Sequence, residues 1–372
     1  MRRIVVLVES SDHVCYRYRY AAFREGLRAC GWELEPLVLK KPWSLRLAQF
    51  AGLARTDAVI LQRRLLPVWQ LFCLRRCVST LLYDFDDALL YRDSYSIKAA
   101  QSWNRRRLFA ATMRTVDGVI AGNQFLEQLA ARWCPARRIT RIPTCVNPDL
   151  YSCADAQGTE EVELCWIGSQ STAKAFDLAG PLFEAIGRTV LGVRLRVISD
   201  WFPSFTHLPV IQCPWSQQGE AAALAASDIG VSWLPDDLWS QGKCGLKVLQ
   251  YMAAGLPVVA NPVGPHCELV KHEKTGFLAE TADEWRAAVA MLAANPALRR
   301  HMGANGRRRV EQEYSLARWT VPLARCLDQT AGVSRQPVQS AQHDFMRSHV
   351  PQWYSRTAAG RSETESSRSS RG

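Results

Sequence analysis

Hydrophobic and polar positions divide the chain into short apolar runs and longer amphipathic stretches. The runs "RRIVVLVE", "WELEPLVL", "DAVILQ", "STLLYDF", "DGVIAG" and "ITRIPTCV" are each bounded by polar or turn residues and predict β-strands. Between them, "RYAAFREGLRAC", "PVWQLFCLRRC", "AAQSWNRRRLFAATMRT" and "NQFLEQLAARWC" carry helical spacing, the last opened by Asn123 at an N-cap position. A polar, turn-rich stretch at 147–161 follows and reads as a linker. The alternation then restarts with "VELCWIGS", a helix near 176–190, "VRLRVIS", "VIQCPW", a helix near 217–226 and "DIGVSWLP". An apolar-periodic helix ending at Gly255, the strand "PVVA", "TGFLAE", a helix over "ADEWRAAVAMLAAN" and the polar helical stretch "PALRRHMGANGRRRVEQEYS" complete the second series. Such alternation predicts an α/β chain with parallel, doubly wound sheets. Two series predict two Rossmann-like domains, 1–150 and 151–330, hinged near residue 150. A ligand cleft is expected between them, at the carboxyl ends of the strands. From 331 to 372 the chain turns rich in Ser and Arg, which predicts a disordered tail; "HDFMRSHVPQWYS" within it has a few apolar residues for weak docking.

Composition agrees with a two-domain globular chain: 372 residues, 48% hydrophobic and 22% charged. No N-terminal stretch combines a basic start, an apolar core and a small-residue cleavage site, and no charge-free window of 18 apolar residues occurs. A cytoplasmic chain without a membrane span is therefore expected. Among 12 cysteines only Cys73 and Cys77 are close in sequence, and no C-x-x-C pair occurs. Reduced, mostly buried thiols are expected rather than disulfides or structural zinc. The net charge of +11 and the arginine clusters at 63–64, 75–76, 105–107 and 137–138 favour anionic partners. No nucleic-acid motif accompanies them, so phosphates or an acidic membrane face are the favoured anions.

The stretch "GKCGLKVLQYMAAGLPVVANPVG" (242–264) concentrates the chemistry. Gly-Lys before a helix fails as a nucleotide P-loop: Asp237 stands where the first glycine belongs and Cys244 where Ser or Thr would hold magnesium. The physics of the turn remains. Glycines allow an anion close to the backbone, the helix start presents unpaired N–H groups, and Lys243 adds charge.

This stretch, with Glu268 and "TGFLAE", resembles the donor-binding region of glycosyltransferase family 4, the glycosyl transferases group 1, which have the GT-B fold. "IPTCVNPDLY", "WIGSQSTAKAF" and "DIGVSWLPD" extend the resemblance over most of residues 1–328. The resemblance implies two Rossmann-like domains facing a central cleft, with the acceptor on the N-terminal side and a nucleotide-diphosphate sugar on the C-terminal side. It further implies hexosyl-type transfer with retention, in polysaccharide, lipopolysaccharide or other glycoconjugate synthesis. No metal or other cofactor is then required. By the same resemblance Gly168, Ser169, Lys174, Gly242, Lys243, Cys244, Gly245, Leu246, Gln250 and Gly264 surround the donor. Two family glutamates, one for sugar hydroxyls and one for the ribose, correspond to Gly242 and Gln250. A family arginine that touches the diphosphate corresponds to Ser169, while Lys174 keeps the family lysine. Lys243 is a candidate to restore the missing charge.

"YDFDDALLY" places Asp86 and Asp87 at the end of a strand, where a carboxylate could bind hydroxyls or assist proton transfer; capping of the next segment is the plainer role. Asp84 and Asp86 also spell D-x-D, a metal-binding pattern of a different glycosyltransferase fold. Asp86, Asp87 and Lys243 are the catalytic candidates. His13, Arg17, Arg19, Gln62, Arg63 and Trp239 are lesser candidates for the cleft. Three alternatives stand beside transfer: a GT-B nucleotide-sugar-binding module with altered or lost catalysis, favoured by Gly242 and Ser169; a sugar-nucleotide epimerase; and a nucleic-acid binder resting on charge alone.

Overall fold

The computed structural model describes residues 1–153 and 161–332. The centre of the 147–161 linker, and the expected tail apart from its first two residues, lie outside the described residues. Two six-stranded, wholly parallel sheets form the frame, both within one unit. The first contains β1 (Arg2–Val8), β2 (Trp32–Val38), β3 (Ala58–Gln62), β4 (Leu81–Phe85), β5 (Gly118–Ala121) and β6 (Ile139–Arg141), in the order β2-β1-β3-β4-β5-β6. The second contains β7 (Val162–Ile167), β8 (Val193–Ser199), β9 (Val210–Pro214), β10 (Ile229–Ser232), β11 (Val258–Ala260) and β12 (Gly276–Leu278), in the order β12-β11-β10-β7-β8-β9. Every apolar run read as a strand is one. β3, β4 and β5 are buried along their whole length, as strands covered by helices on both faces must be.

In each sheet the winding reverses once, between β1 and β3 and between β7 and β10. The loops leaving those four strands therefore diverge, and a crevice opens at their carboxyl ends. Residues 9–13 and 63–67 border the first crevice, and 168–170 and 233–237 the second.

Several helices differ from the sequence reading. "RYAAFREGLRAC" is broken into Val14–Arg19, a 3₁₀ turn at Ala21–Phe23 and Arg24–Ala29. Trp43–Ala51 and Leu316–Thr330 are additional helices. The second departs from the expected partition at residue 150. A π-helical turn at Val310–Tyr314 redirects the chain beside Val146, whose N–H donates to the Tyr314 carbonyl at 3.1 Å. Leu323, Ala324, Cys326 and Leu327 then complete the core around Ile4, Leu27 and Trp32. Asp328 fixes the register: it accepts from the Trp32 indole at 3.0 Å and pairs with Arg2 at 2.7 Å. The N-terminal core thus includes the last described helix.

Candidate functional site

The turn at 242–245 is shaped by close approach. Asp237 caps the short helix Leu238–Gln241 through the Ser240 N–H, 2.8 Å away. A Cβ on Gly242 would lie 2.5 Å from the Cβ of Ala88 and 2.6 Å from its nitrogen, so only glycine fits against the loop after β4. Asn123, read as a helix cap, does cap Gln124–Ala130; its amide also donates to the Lys243 carbonyl at 2.7 Å. The Cys244 thiol donates to the Asp86 carbonyl at 3.4 Å. Burial, with Asp86 next, pushes that thiol well up, so Cys244 packs as a neutral group. Gly245, at φ +66°, is the N-cap of the helix Leu246–Ala253, and no side chain caps that helix. Its first-turn N–H groups remain available to an anion.

A lysine at the second crevice is Lys247, which the sequence reading left unassigned. Its amine stands 3.9 Å from the Trp166 ring centroid and 3.4 Å from the Thr172 hydroxyl. It also lies 2.7 Å from the position a Cβ on Gly168 would take. Gly168 and Ser169 are the residues leaving β7. Burial, reinforced by the Lys243 charge, pushes the Lys247 pKa well below the ordinary lysine range. No ion pair to Lys247 forms among the described residues. Lys243 turns the other way: its amine is 3.6 Å from Asp87 and 5.6 Å from the Trp239 ring centroid. Lys174 lies exposed between the helices Gln170–Ala173 and Ala175–Thr189. Gly264 begins the helix Pro265–Leu269 and abuts the Ser240 carbonyl. Beyond it, His266 bonds Ser232 and the Asn261 carbonyl, both at 2.9 Å, and burial lowers its pKa to about 4.

Across the cleft, Arg63 organises the carboxylates. It follows β3 with φ +59°, a conformation non-glycine residues seldom adopt. Its guanidinium reaches Asp86 at 2.7 Å and Asp87 at 2.5 Å, and the Cys15 sulfur at 2.6 Å. Burial alone would raise the Asp86 pKa; Arg63 and then Arg19 outweigh it and hold the carboxyl below its usual range. Asp86 and Asp87 are both clamped by Arg63, with Lys243 beside Asp87. Asp84, the first acid of D-x-D, is instead buried in a bidentate pair with Arg19, at 2.5–3.0 Å. Arg19 therefore faces neither acceptor nor phosphate. His13 caps the helix Val14–Arg19, its ring accepting from the Cys15 N–H at 3.2 Å. With Gln62, Arg63 and Arg64 it lines a small pocket at the first crevice.

Gln250 belongs to a second polar cluster, around Glu220. That buried carboxylate accepts from Arg17 at 2.9 and 3.0 Å, Tyr18 at 2.6 Å, the Trp215 indole at 2.9 Å and the Gln250 amide at 2.8 Å. Gln250 also donates to the Tyr18 hydroxyl at 3.0 Å. The carboxylate expected at position 250 thus stands one hydrogen bond away, on the helix Glu220–Ala225. Arg17, read as a candidate for anionic ligands, is committed to Glu220. The cluster ties Arg17 and Tyr18 of the first half to the second.

Residues 235–309 match the family model described as glycosyl transferases group 1. The match lies within the C-terminal half. The matched segment contains the turn at 242–245, Lys247, Gln250 and Gly264. Solved structures share the fold along most of the chain. Sucrose-phosphate synthase from Thermosynechococcus elongatus is 18% identical with a TM-score of 0.69, covering 90% of this chain and 100% of its own. A glycosyltransferase from Rickettsia africae ESF-5 is 14% identical with a TM-score of 0.68, covering 90% and 99%. Anabaena HepE, solved in complex with UDP and glucose, is 14% identical with a TM-score of 0.66, covering 88% and 100%. The fold is GT-B. No curated protein sequence matches the chain. Among the described residues, no helix is long and apolar enough to cross a membrane.

Proposed function

We propose that the chain is a glycosyltransferase that moves a hexose from a nucleoside-diphosphate sugar to an acceptor hydroxyl, with retention. The observation that carries this reading is the cradle beside Gly168: an uncapped helix start with the Lys247 amine held next to Gly168 and Thr172, without an acidic partner among the described residues. Such a cradle fits a diphosphate. Lys247 then supplies the charge lost with Ser169, a part first given to Lys243. Support for the ligand class comes from relatives of the same fold, among them HepE in complex with UDP-glucose.

In the proposed reaction the bond between the sugar's anomeric carbon and the β-phosphate oxygen breaks. Charge grows on the leaving diphosphate, where Lys247 and the N–H groups of residues 246–248 stabilise it. The acceptor oxygen bonds to the anomeric carbon from the same face, and its proton passes to the leaving phosphate oxygen. Asp86, held ionised by Arg63 and Arg19, and its neighbour Asp87 position the acceptor hydroxyl rather than remove its proton. Gln250 and Glu220 border the nucleoside side. No metal is needed, because Lys247 and the helix start supply the positive charge; turnover in chelator is expected to equal turnover with magnesium. The acceptor is a glycan or lipid-linked glycan, met on the cytoplasmic side of a membrane.

The test is incubation with radiolabelled UDP-, GDP- and ADP-sugars and a panel of glycan acceptors. Transfer by the native chain, with at least tenfold loss in Lys247→Met, supports the reading. A nucleotide-sugar complex without transfer to any acceptor favours a second reading, a binding module without chemistry. Gly242 gives that reading its footing, since the position of an expected carboxylate is sealed by Ala88.

A further inference from the structure

The helices Trp43–Ala51 and Val68–Cys77 lie side by side on the first sheet, the second starting directly after the loop 63–67. Their starts carry large apolar side chains into solvent: Trp43 is 59% exposed, Leu45 53%, Trp69 48% and Phe72 60%. These belong to one patch. The Trp43 and Trp69 rings meet edge to face at 5.8 Å, and Arg46 bridges the helices by donating to Gln70 at 2.7 Å. Burying such side chains normally repays their presence, so a contiguous exposed group of this kind marks a contact surface.

Charge identifies the partner. Between Pro36 and Tyr83 the chain has eight basic residues and one acidic residue, Asp57. Some of the eight are committed elsewhere: Arg63 to the cleft, Arg64 to Glu9 and Arg75 to Asp117. Lys40 and Lys41 are exposed just before the first helix, and Arg76 lies exposed over the Phe72 ring at 5.8 Å. The patch is therefore a tryptophan and aliphatic wedge rimmed by cations. Nucleic acid would use the cations and stack on the aromatic rings, but it offers nothing to Leu45 or to the exposed Val68. A bilayer accepts all of them: tryptophans seat at headgroup depth, aliphatic and phenyl groups reach the acyl boundary, and lysines meet anionic headgroups.

We infer that this face, centred on Trp43 and Trp69, docks the chain onto an anionic lipid bilayer. The inference gives a physical surface to the membrane-side acceptor proposed above, but its measurement needs neither donor nor acceptor. Vesicle binding can fail while sugar transfer to a soluble acceptor succeeds, and the reverse.

The experiment is sedimentation of the full chain with vesicles of phosphatidylcholine alone and with about a third phosphatidylglycerol. Binding to the mixed vesicles, weak binding to the neutral ones, and loss of binding with rising salt are expected. Each basic residue near such a surface is worth about fivefold in partitioning, so Lys40→Gln with Lys41→Gln should weaken binding roughly 25-fold. Trp69→Ser with Phe72→Ser removes exposed side chains; it should fold like the native chain by thermal melting and lose vesicle binding. Native-like vesicle binding by either double variant overturns the inference, as does absence of binding to the anionic vesicles. A concentration-dependent dimer abolished by the Trp69/Phe72 variant would overturn it in favour of a second copy. Salt-sensitive binding of single-stranded RNA, lost in the same variant and without vesicle binding, would overturn it in favour of nucleic acid.

Discussion

Replacing Gln250 by glutamate would install the residue that the family resemblance places there, yet the cluster around Glu220 makes it a damaging change. The native amide donates to Glu220 at 2.8 Å and to Tyr18 at 3.0 Å. An ionised carboxylate in its place loses both bonds and brings two like charges to about 3 Å in a buried site. At an effective dielectric constant of ~20 that repulsion is about 5 kcal/mol. The pair escapes it by retaining one proton, which at pH 8 against an ordinary glutamate pKa of about 4.3 also costs about 5 kcal/mol. Both routes thus agree on the scale at pH 8. At pH 5 the proton costs only about 1 kcal/mol. The sign follows from linkage: the folded variant binds a proton that the unfolded chain has released, so stability falls as pH rises above ~4.3. Urea unfolding of Gln250→Glu should therefore show a deficit of 4–5 kcal/mol at pH 8, and ~1–2 kcal/mol at pH 5. The swap Glu220→Gln with Gln250→Glu returns one carboxylate and one amide to the pair, and should recover at least ~2 kcal/mol at pH 8. A deficit that does not change with pH, or a swap no better than the single variant, would refute the reasoning.

Lys247→Met should weaken UDP binding roughly 10- to 100-fold, the worth of a charged hydrogen bond in a desolvated site, whereas Lys243→Ala, which loosens only Asp87, should cost less than fivefold. Burial lowers the pKa of the free amine and a bound diphosphate raises it, so proton uptake on binding should appear and grow as pH is raised toward the ordinary lysine range; calorimetric heats in buffers of different ionisation enthalpy detect it, and the signal should vanish in Lys247→Met. Gly242→Glu restores the other expected carboxylate but drives a side chain into Ala88, with a Cβ contact of 2.5 Å. Overpacking of this kind costs about 1–3 kcal/mol, to be read as a lowered melting temperature with no gain in transfer activity.

Strands were the most legible part of the sequence, because a parallel sheet covered on both faces needs continuous apolar runs such as "AVILQ", and few other elements do. The uncapped glycine turn was legible too, from glycines before a periodic helix. Lys247 was not. On a helix with alternating apolar and polar positions it looks like a solvated lysine, and only the fold shows that Trp166 and Gly168 sit under it. Glu220 was hidden for a similar reason: an acidic residue at a helix start satisfies the dipole, while its real partners lie as far as 203 residues away at Arg17. Gly242 was read as a lost carboxylate. Its cause, the passage of Ala88 across the cleft, belongs to tertiary packing and leaves no mark on local pattern. The helix Leu316–Thr330 follows a polar stretch, and its apolar face has meaning only against a sheet formed from the first residues of the chain.

That last pairing has a consequence for synthesis on the ribosome. β1 to β6 emerge early, yet the core around Ile4, Leu27 and Trp32 is completed only when Leu323 to Leu327 arrive. At 5–20 residues per second the gap is roughly 10–40 s. Through that interval the nascent first half carries an open hydrophobic seam, which a chaperone or a premature stop codon would meet before the chain itself can close it.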